Sequence, residues 1–227
     1  MPVHLQRELD RLKKRILSLG AEVEQGVRLA TKSLDSRDRN LAAQVIEGDL
    51  RIDHLEVELE EECLKVLALY QPVAIDLRFI VAVLKINNDL ERIADLAVNI
   101  AERATFLATQ RRVEIPFDFA TMSEKAQGML RKSLDALANL DADLAHQVCA
   151  SDDEVDTMNR EMYGLVQDAI RKHPAQLENL IHMLSTSRHL ERIADLATDI
   201  AEDVVYMVKG EIIRHRTEDY RSQRAKQ

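Results

Sequence analysis

The sequence is poor in the residues that punctuate and stiffen β-structure. Among 227 residues there are six glycines, four prolines and no tryptophan, and aromatics make up 4%. Sandwiches, barrels and wound sheets draw on Gly- and Pro-bearing turns and on aromatic-rich strands, so the scarcity points to helix. Long apolar runs are missing too. The longest, Phe79 to Leu84, falls far short of the roughly 20 residues a helix needs to cross a bilayer. The opening stretch, Met1-Pro2-Val3-His4 with Arg7, Glu8 and Asp10 behind it, has no apolar core and is not expected to act as a secretory signal. Cysteine is limited to Cys63 and Cys149, which have neither metal nor redox spacing and sit in apolar helical patterns. That predicts buried, inert thiols in a reducing compartment. Basic residues are outnumbered, 31 Lys and Arg against 40 Asp and Glu, for a net charge of −9. Such a chain repels phosphate backbones, which argues against nucleic acid as a general partner. The expectation is a cytoplasmic protein without direct membrane insertion.

What is present is ordinary material for a folded chain: 46% apolar and 31% charged residues, far from disordered composition. Its organisation is not ordinary. Leu90-Glu91-Arg92-Ile93-Ala94-Asp95-Leu96-Ala97 recurs unchanged as Leu190-Glu191-Arg192-Ile193-Ala194-Asp195-Leu196-Ala197, and Lys32-Ser33-Leu34-Asp35 recurs as Lys132-Ser133-Leu134-Asp135. Between these blocks Leu41-Ala42, Gln44-Val45, Asp49 and Asp53 align with Leu144-Ala145, Gln147-Val148, Asp152 and Asp156. Three collinear blocks make the chain an internal duplication.

Each copy reads as three helices. In the first copy they run from about His4 to Ser33, Leu41 to Tyr70 and Ala74 to Ala108, with breaks at Asp35 to Asn40 and at Gln71-Pro72, where proline cannot continue the hydrogen-bond ladder. In the second copy the breaks fall near Leu140-Asp141 and at His173-Pro174. The fold class expected is all-α: two tandem antiparallel three-helix bundles spanning 1–112 and 113–213, joined by an extended link at Arg111 to Asp118, with a polar tail at 214–227. The long bundle faces suggest a homodimer.

Four acidic pairs share one spacing: Asp49 with Asp53, Glu91 with Asp95, Asp152 with Asp156, and Glu191 with Asp195. Residues four apart lie one turn apart on one helix face, where like charges repel. The pairs also meet across the hairpins. Asp49 and Asp95 are equidistant from Pro72, as are Asp53 and Glu91; in the second copy Asp152 pairs with Asp195, and Asp156 with Glu191. Antiparallel helices therefore place four carboxylates at one height in each copy, a donor set suited to hard cations and iron. At 100° per residue, Asn99 and Glu102 extend the stripe of Glu91 and Asp95, and Asp199 and Glu202 that of Glu191 and Asp195. On the second helix Glu56 and Glu60 continue the stripe, whereas the second copy has Asn159 and Tyr163 there; its site is expected to be poorer in ligands. Such a stripe, pointing away from Leu90, Ala94 and Ala97, can also be an ordinary solvated face.

Gln71-Pro72-Val73-Ala74-Ile75-Asp76-Leu77-Arg78, followed by Leu84-Lys85-Ile86-Asn87-Asn88-Asp89-Leu90-Glu91-Arg92-Ile93-Ala94-Asp95, closely resembles the PhoU family of phosphate-transport regulators, and the resemblance covers nearly the whole chain. The second copy departs from it in two places: Pro174-Ala175-Gln176-Leu177-Glu178-Asn179 stands in place of the first stretch, and His189 in place of Asp89. The resemblance implies a non-enzymatic cytoplasmic negative regulator of high-affinity phosphate uptake and phosphate-starvation signalling. Its partners would be the ATPase subunit of the phosphate transporter and a phosphate-sensing histidine kinase. It also implies metal on the bundle surface, iron first, with Mg, Mn, Zn or Ca as substitutes. The ligands would be Asp49, Asp53, Glu91, Asp95, Asn99, Glu102, Asp152, Asp156, Glu191, Asp195, Asp199 and Glu202.

Two other readings compete. A carboxylate-bridged di-metal oxidase would want Glu-x-x-His on inward faces, and no histidine has Glu three residues before it. A purely structural helical scaffold would use the same acids only for solubility. A zinc hydrolase is disfavoured, because there is no His-Glu-x-x-His.

Overall fold

The computed structural model describes residues 3–113, 115 and 117–213. The expected polar tail, and Pro116 of the link, lie outside the described residues. Those residues form helices and no strand: α1 (Val3–Ser36), α2 (Arg39–Tyr70), α3 (Ala74–Thr109), α4 (Phe119–Asn139), α5 (Ala142–Cys149), α6 (Asp152–Lys172) and α7 (Leu177–Lys209), with a short 3₁₀ turn at Pro174–Gln176. No described helix is long and apolar enough to cross a membrane.

The helices form where apolar residues fall at three- and four-residue steps. Along α1 the buried side chains are Leu5, Leu9, Leu12, Ile16, Leu19, Val23, Val27 and Ala30, a single stripe facing the core. The other helices of the first bundle, α2 and α3, pack on it and on each other. In the second bundle α7 takes the place of α3 and packs on α4, α5 and α6. The two central helices, α3 and α7, also pack on each other, and α1 touches α4. At the α1–α4 contact, a side chain on Gly20 would come within 2.7 Å of Leu134 Cδ2, so the bare glycine permits the close approach. One continuous apolar core therefore spans both bundles. A smaller cluster of Met162, Val166 and Leu180 is covered by link residues Val113, Ile115 and Phe117.

The duplication extends to the turns. The chain leaves α1 through Arg37 at φ 56°, and Asp38 then caps α2, its side chain accepting from the backbone N–H groups of Asn40 and Leu41. The chain leaves α4 through Leu140 at φ 54°, and Asp141 caps α5 by accepting from Asp143 and Leu144. An N-terminal Asp cap stabilises a helix by about 1 kcal/mol, and the chain uses the same device twice. The first hairpin turns at Gln71, which is left-handed at φ 46° and closes α2 through its N–H to Leu67 O.

Two boundaries differ from the sequence expectation. The first helix runs to Ser36 rather than Ser33, because nothing before the left-handed Arg37 stops it. More consequentially, the middle helix of the second bundle is not continuous. It is split at Ala150 and Ser151, both near φ −80 to −96° with ψ −9°, the sparsely populated bridge region. Neither Gly nor Pro marks the break. Instead the Ser151 hydroxyl donates to Gln147 O at 2.8 Å, and three acids, Asp152, Asp153 and Glu154, open α6, where the positive end of a helix favours them.

Candidate metal centre

The break at Ser151 sets Asp152 on the first turn of α6, with Asp156 one turn further along and Asp195 opposite on α7. One carboxylate oxygen from each of the three lies within 4.8 Å of the others, and each residue is half-buried. No other trio of Asp, Glu, His or Cys among the described residues comes so close. The crowding is felt in the protonation of Asp152. Burial first, then the charges of Asp195 and Asp156, push its carboxyl up from 3.8 to about 7. Its Oδ1 is buried and accepts no hydrogen bond. Glu191, one turn before Asp195, is also raised, by burial and by Asp195 and Asp156, while Arg192 and Arg188 pull the other way. Burial raises Asp195 as well, against the Arg192 guanidinium, whose Nη1 donates to Asp195 Oδ2 at 2.8 Å.

Asp199 and Glu202 continue along α7, Asp199 exposed and Glu202 half-buried. Both lie near enough to Cys149 to act on it: burial first, then Glu202, Asp152 and Asp199, hold its thiol up to about 12. Cys149 is half-buried rather than buried, whereas Cys63 is buried as expected. The Cys149 thiol therefore flanks the acidic group, a neighbour that the isolated position of the residue in the sequence did not suggest.

The first bundle assembles its acids more loosely. Burial, then Asp53 and Asp95, raise the Asp49 carboxyl. Burial again, then Asp95, Glu56, Asp53 and Asp49, raise Glu91. The facing pairs of α2 and α3 therefore do share one field, but no three of these oxygens gather within 4.8 Å. Asp53, Asp95 and Glu102 are exposed. Asn99 turns its amide back on the helix, donating to Asp95 O at 2.8 Å, and Glu102 lies beside Arg103 at 3.5 Å. Glu56 belongs to this group more than its place on the stripe suggested. It is half-buried, accepts from Asn87 Nδ2 at 3.2 Å and is raised by burial, Glu60 and Asp53.

The second copy, poorer in ligand types, nevertheless holds the closer group of carboxylates. Counting ligand types along the helix made the second copy the poorer site, because Asn159 and Tyr163 replace Glu56 and Glu60 there. The trio instead forms in the second copy, where the helix break and partial burial concentrate its three carboxylates. Asn159 serves the seam, its Oδ1 accepting from the Ser187 hydroxyl at 2.9 Å. The trio suits a cation on chemical grounds. It offers oxygen donors only, one of them a buried oxygen with no hydrogen bond, and its mutual repulsion would fall on binding a positive charge. Asp152, Asp156 and Asp195 would hold such an ion, with Glu191 in reach of the same field; hard divalent cations and iron are the class that such donors take.

Comparison with known proteins places this chain in a family. The sequence model described as "PhoU domain" matches twice, at residues 16–104 and 119–204. A phosphate-specific transport system accessory protein PhoU homolog of Aquifex aeolicus is 36% identical over 212 residues, covering 93% of this chain and 96% of that one. One of Thermotoga maritima is 33% identical over 209 residues, 92% of this chain and 90% of that one. Among solved structures, PhoU from Pseudomonas aeruginosa superposes with a TM-score of 0.86 at 35% identity, covering 91% of this chain and 99% of that chain. The phosphate transport system regulatory protein PhoU from Streptococcus pneumoniae gives 0.81 at 29%, covering 92% and 98%.

Proposed function

The chain belongs to the PhoU family, and from that membership we propose that it is a cytoplasmic, non-catalytic accessory protein of a phosphate-specific transport system. In this reading it restrains high-affinity phosphate uptake and the phosphate-starvation response through contacts with the transporter ATPase subunit and a sensor histidine kinase. The relatives named above carry the first half of the reading. The acidic trio carries the second, because a surface with three crowded carboxylates is poor for docking until a cation neutralises it.

The mechanism follows from charge. Without a cation, burial and the charges of Asp195 and Asp156 hold the Asp152 carboxyl up to about 7, and the α6–α7 surface carries repulsive negative charge. With a divalent ion held by Asp152, Asp156 and Asp195, that repulsion is relieved, and the surface gains one fixed geometry to present to a partner. The protein acts as a homodimer in this reading, with the acidic faces outward.

The test pairs a chemical with a cellular readout. Protein purified without chelators is compared with Asp152→Ala/Asp195→Ala by elemental analysis, and both are expressed in a bacterial strain lacking its own PhoU. The double variant should lose bound metal and fail to repress a phosphate-starvation reporter in rich phosphate. Full repression by a metal-free variant would sink the metal-dependent half of the proposal. Failure of the unmodified chain to repress would sink the regulatory half.

A further inference from the structure

A cleft among the described residues differs in chemistry from the acidic trio. It encloses about 650 Å³ where the end of α1, the end of α3, the link and the start of α4 meet, a volume typical of small-molecule sites. In a chain of net charge −9 it gathers five cations: Arg28 and Lys32 on one face of α1, Arg37 at its end, and Arg111 and Arg112 on the link. Arg37 is committed to structure, its Nη1 donating to Gln110 O at 2.8 Å and tying the α1 turn to the end of α3. None of the other four forms an ion pair with any described residue, although eleven pairs occur elsewhere among the described residues. The described carboxylates that line the cleft form no ion pair with them. Asp118 is engaged in capping α4 through the N–H and hydroxyl of Thr121 at 2.9 and 2.6 Å, and Asp35 and Glu124 are exposed.

Arg28 and Lys32 stand four apart on one helix face, where like charges repel, and neither forms an ion pair with a described residue. Solvated surface cations would tolerate that repulsion, but they would not need the rest of the cleft. Apolar residues line the same cleft: Leu34, Leu107, Ile115, Phe117, Phe119 and Met183. Phe117 and Phe119 meet edge to face, ring centroids 4.7 Å apart. Gln127 and Thr31 also line it, and Gln127 Nε2 donates to the buried Thr31 hydroxyl at 3.2 Å, bridging α4 to α1. The lining thus combines cations that attract anionic oxygens with apolar side chains suited to a flat group.

We propose that this cleft binds a nucleoside di- or triphosphate, with the phosphates between Arg28, Lys32, Arg111 and Arg112 and the base against the Phe117–Phe119 pair. Guanidinium groups suit phosphate because they present paired donors, and the aromatic pair offers stacking to any base. Since the cleft borders both bundles at once, occupancy would tie α1 to the link and to α4.

Isothermal titration of the full chain in EDTA tests this directly. EDTA removes any cation through which a phosphate could reach the acidic trio. ATP should bind at least tenfold more tightly than pyrophosphate or adenosine, and the affinity should fall as salt is raised. Arg28→Ala/Lys32→Ala, checked for native helix content, should lose at least tenfold, whereas Arg131→Ala, outside the cleft, should bind like the parent. Phe119→Leu should lose ATP while keeping the weak affinity for pyrophosphate. Equal affinities for ATP and pyrophosphate, no loss in the double variant, or no binding of any of the four common ribonucleoside triphosphates at millimolar concentration would each overturn the site. Asp152→Ala/Asp195→Ala should bind ATP unchanged, so this result is separable from the fate of the metal proposal; loss of binding there would also overturn the cleft.

Discussion

Replacing Asp152 by asparagine should make the metal-free protein more stable at pH 8, an unusual result for removing a charge from a candidate site. In the unfolded chain Asp152 loses its proton near 3.8, whereas in the folded protein burial and the neighbouring Asp195 and Asp156 hold it up to about 7. Between those pH values the folded form keeps a proton that the unfolded form has lost, so this residue's contribution to stability falls as pH rises from 3.8 to 7 and is flat above. Each pH unit of the difference corresponds to about 1.4 kcal/mol, which gives roughly 4 kcal/mol in full. Asp152 is only half-buried, and solvent screening reduces the expectation to about 2 kcal/mol. In a chain of this size that is about 4–8 °C in Tm. The assay is thermal unfolding followed by circular dichroism in EDTA, for the parent and for Asp152→Asn, at pH 8 and pH 5. The variant should melt higher at pH 8, and the gap should shrink by more than half at pH 5. Adding manganese at pH 8 should raise the parent's Tm and raise the variant's less. Identical melting at pH 8, or a gap independent of pH, would refute the reasoning.

Other expectations follow from single contacts. Lys85 Nζ reaches Asp203 Oδ1 at 3.0 Å across the α3–α7 seam, and the Asp203 side chain is 2% exposed; Lys85→Met should cost about 1–3 kcal/mol in urea unfolding by stripping a buried carboxylate of that partner. Gly210 ends α7 at φ 74° with the Arg78 guanidinium packed against it, so Gly210→Ala should cost at least about 1 kcal/mol by the same measurement. Burial first, and then neighbouring acids, hold the Cys63 and Cys149 thiols up to about 12; Ellman's reagent at pH 8 should label neither in the native protein and both in urea, because the thiolate is the reacting form. Ile93 is wholly buried in the shared core, and Ile93→Ala should cost about 2–5 kcal/mol.

Much of this architecture was legible in the residues alone because duplication reports on itself. Two copies of Leu-Glu-Arg-Ile-Ala-Asp-Leu-Ala fix the repeat, and the Gln71-Pro72 break fixes the antiparallel hairpin that brings Asp49 and Glu91 into one field. The turn into each middle helix was legible only as a polar break; that Asp38 and Asp141 both cap it needs the backbone. The interruption at Ala150-Ser151 left no trace, since its signal is a serine bonding back to Gln147 rather than a glycine or proline. The cation-lined cleft was equally hidden. The pair Arg28 and Lys32 is far in sequence from the pair Arg111 and Arg112, and in an acidic chain a handful of basic residues draws no notice until the fold gathers them.

The two copies share their acids but not their environment, and the difference traces to the backbone rather than to the ligands. Asp49 sits about three turns into an unbroken α2, on the helix that buries Val45 and Ile52. Asp152 instead opens a helix, set off by the bridge-region residues Ala150 and Ser151. The chain is thus released from strict helical register at the point where its carboxylate meets Asp195. The arginine that follows each glutamate is used asymmetrically too: Arg192 bonds Asp195, whereas Arg92 forms no ion pair with a described residue. A repeat that kept both carboxylate pairs, yet rebuilt the backbone and the counter-charge around one of them, has made two acidic sites of unequal field. The site with a carboxyl raised to about 7 is the one whose charge a cation, or a change of pH near neutrality, can reset. The first-repeat group should respond to neither as strongly, so pH and metal titrations of Asp49→Asn and Asp152→Asn ought to separate the two halves of the molecule.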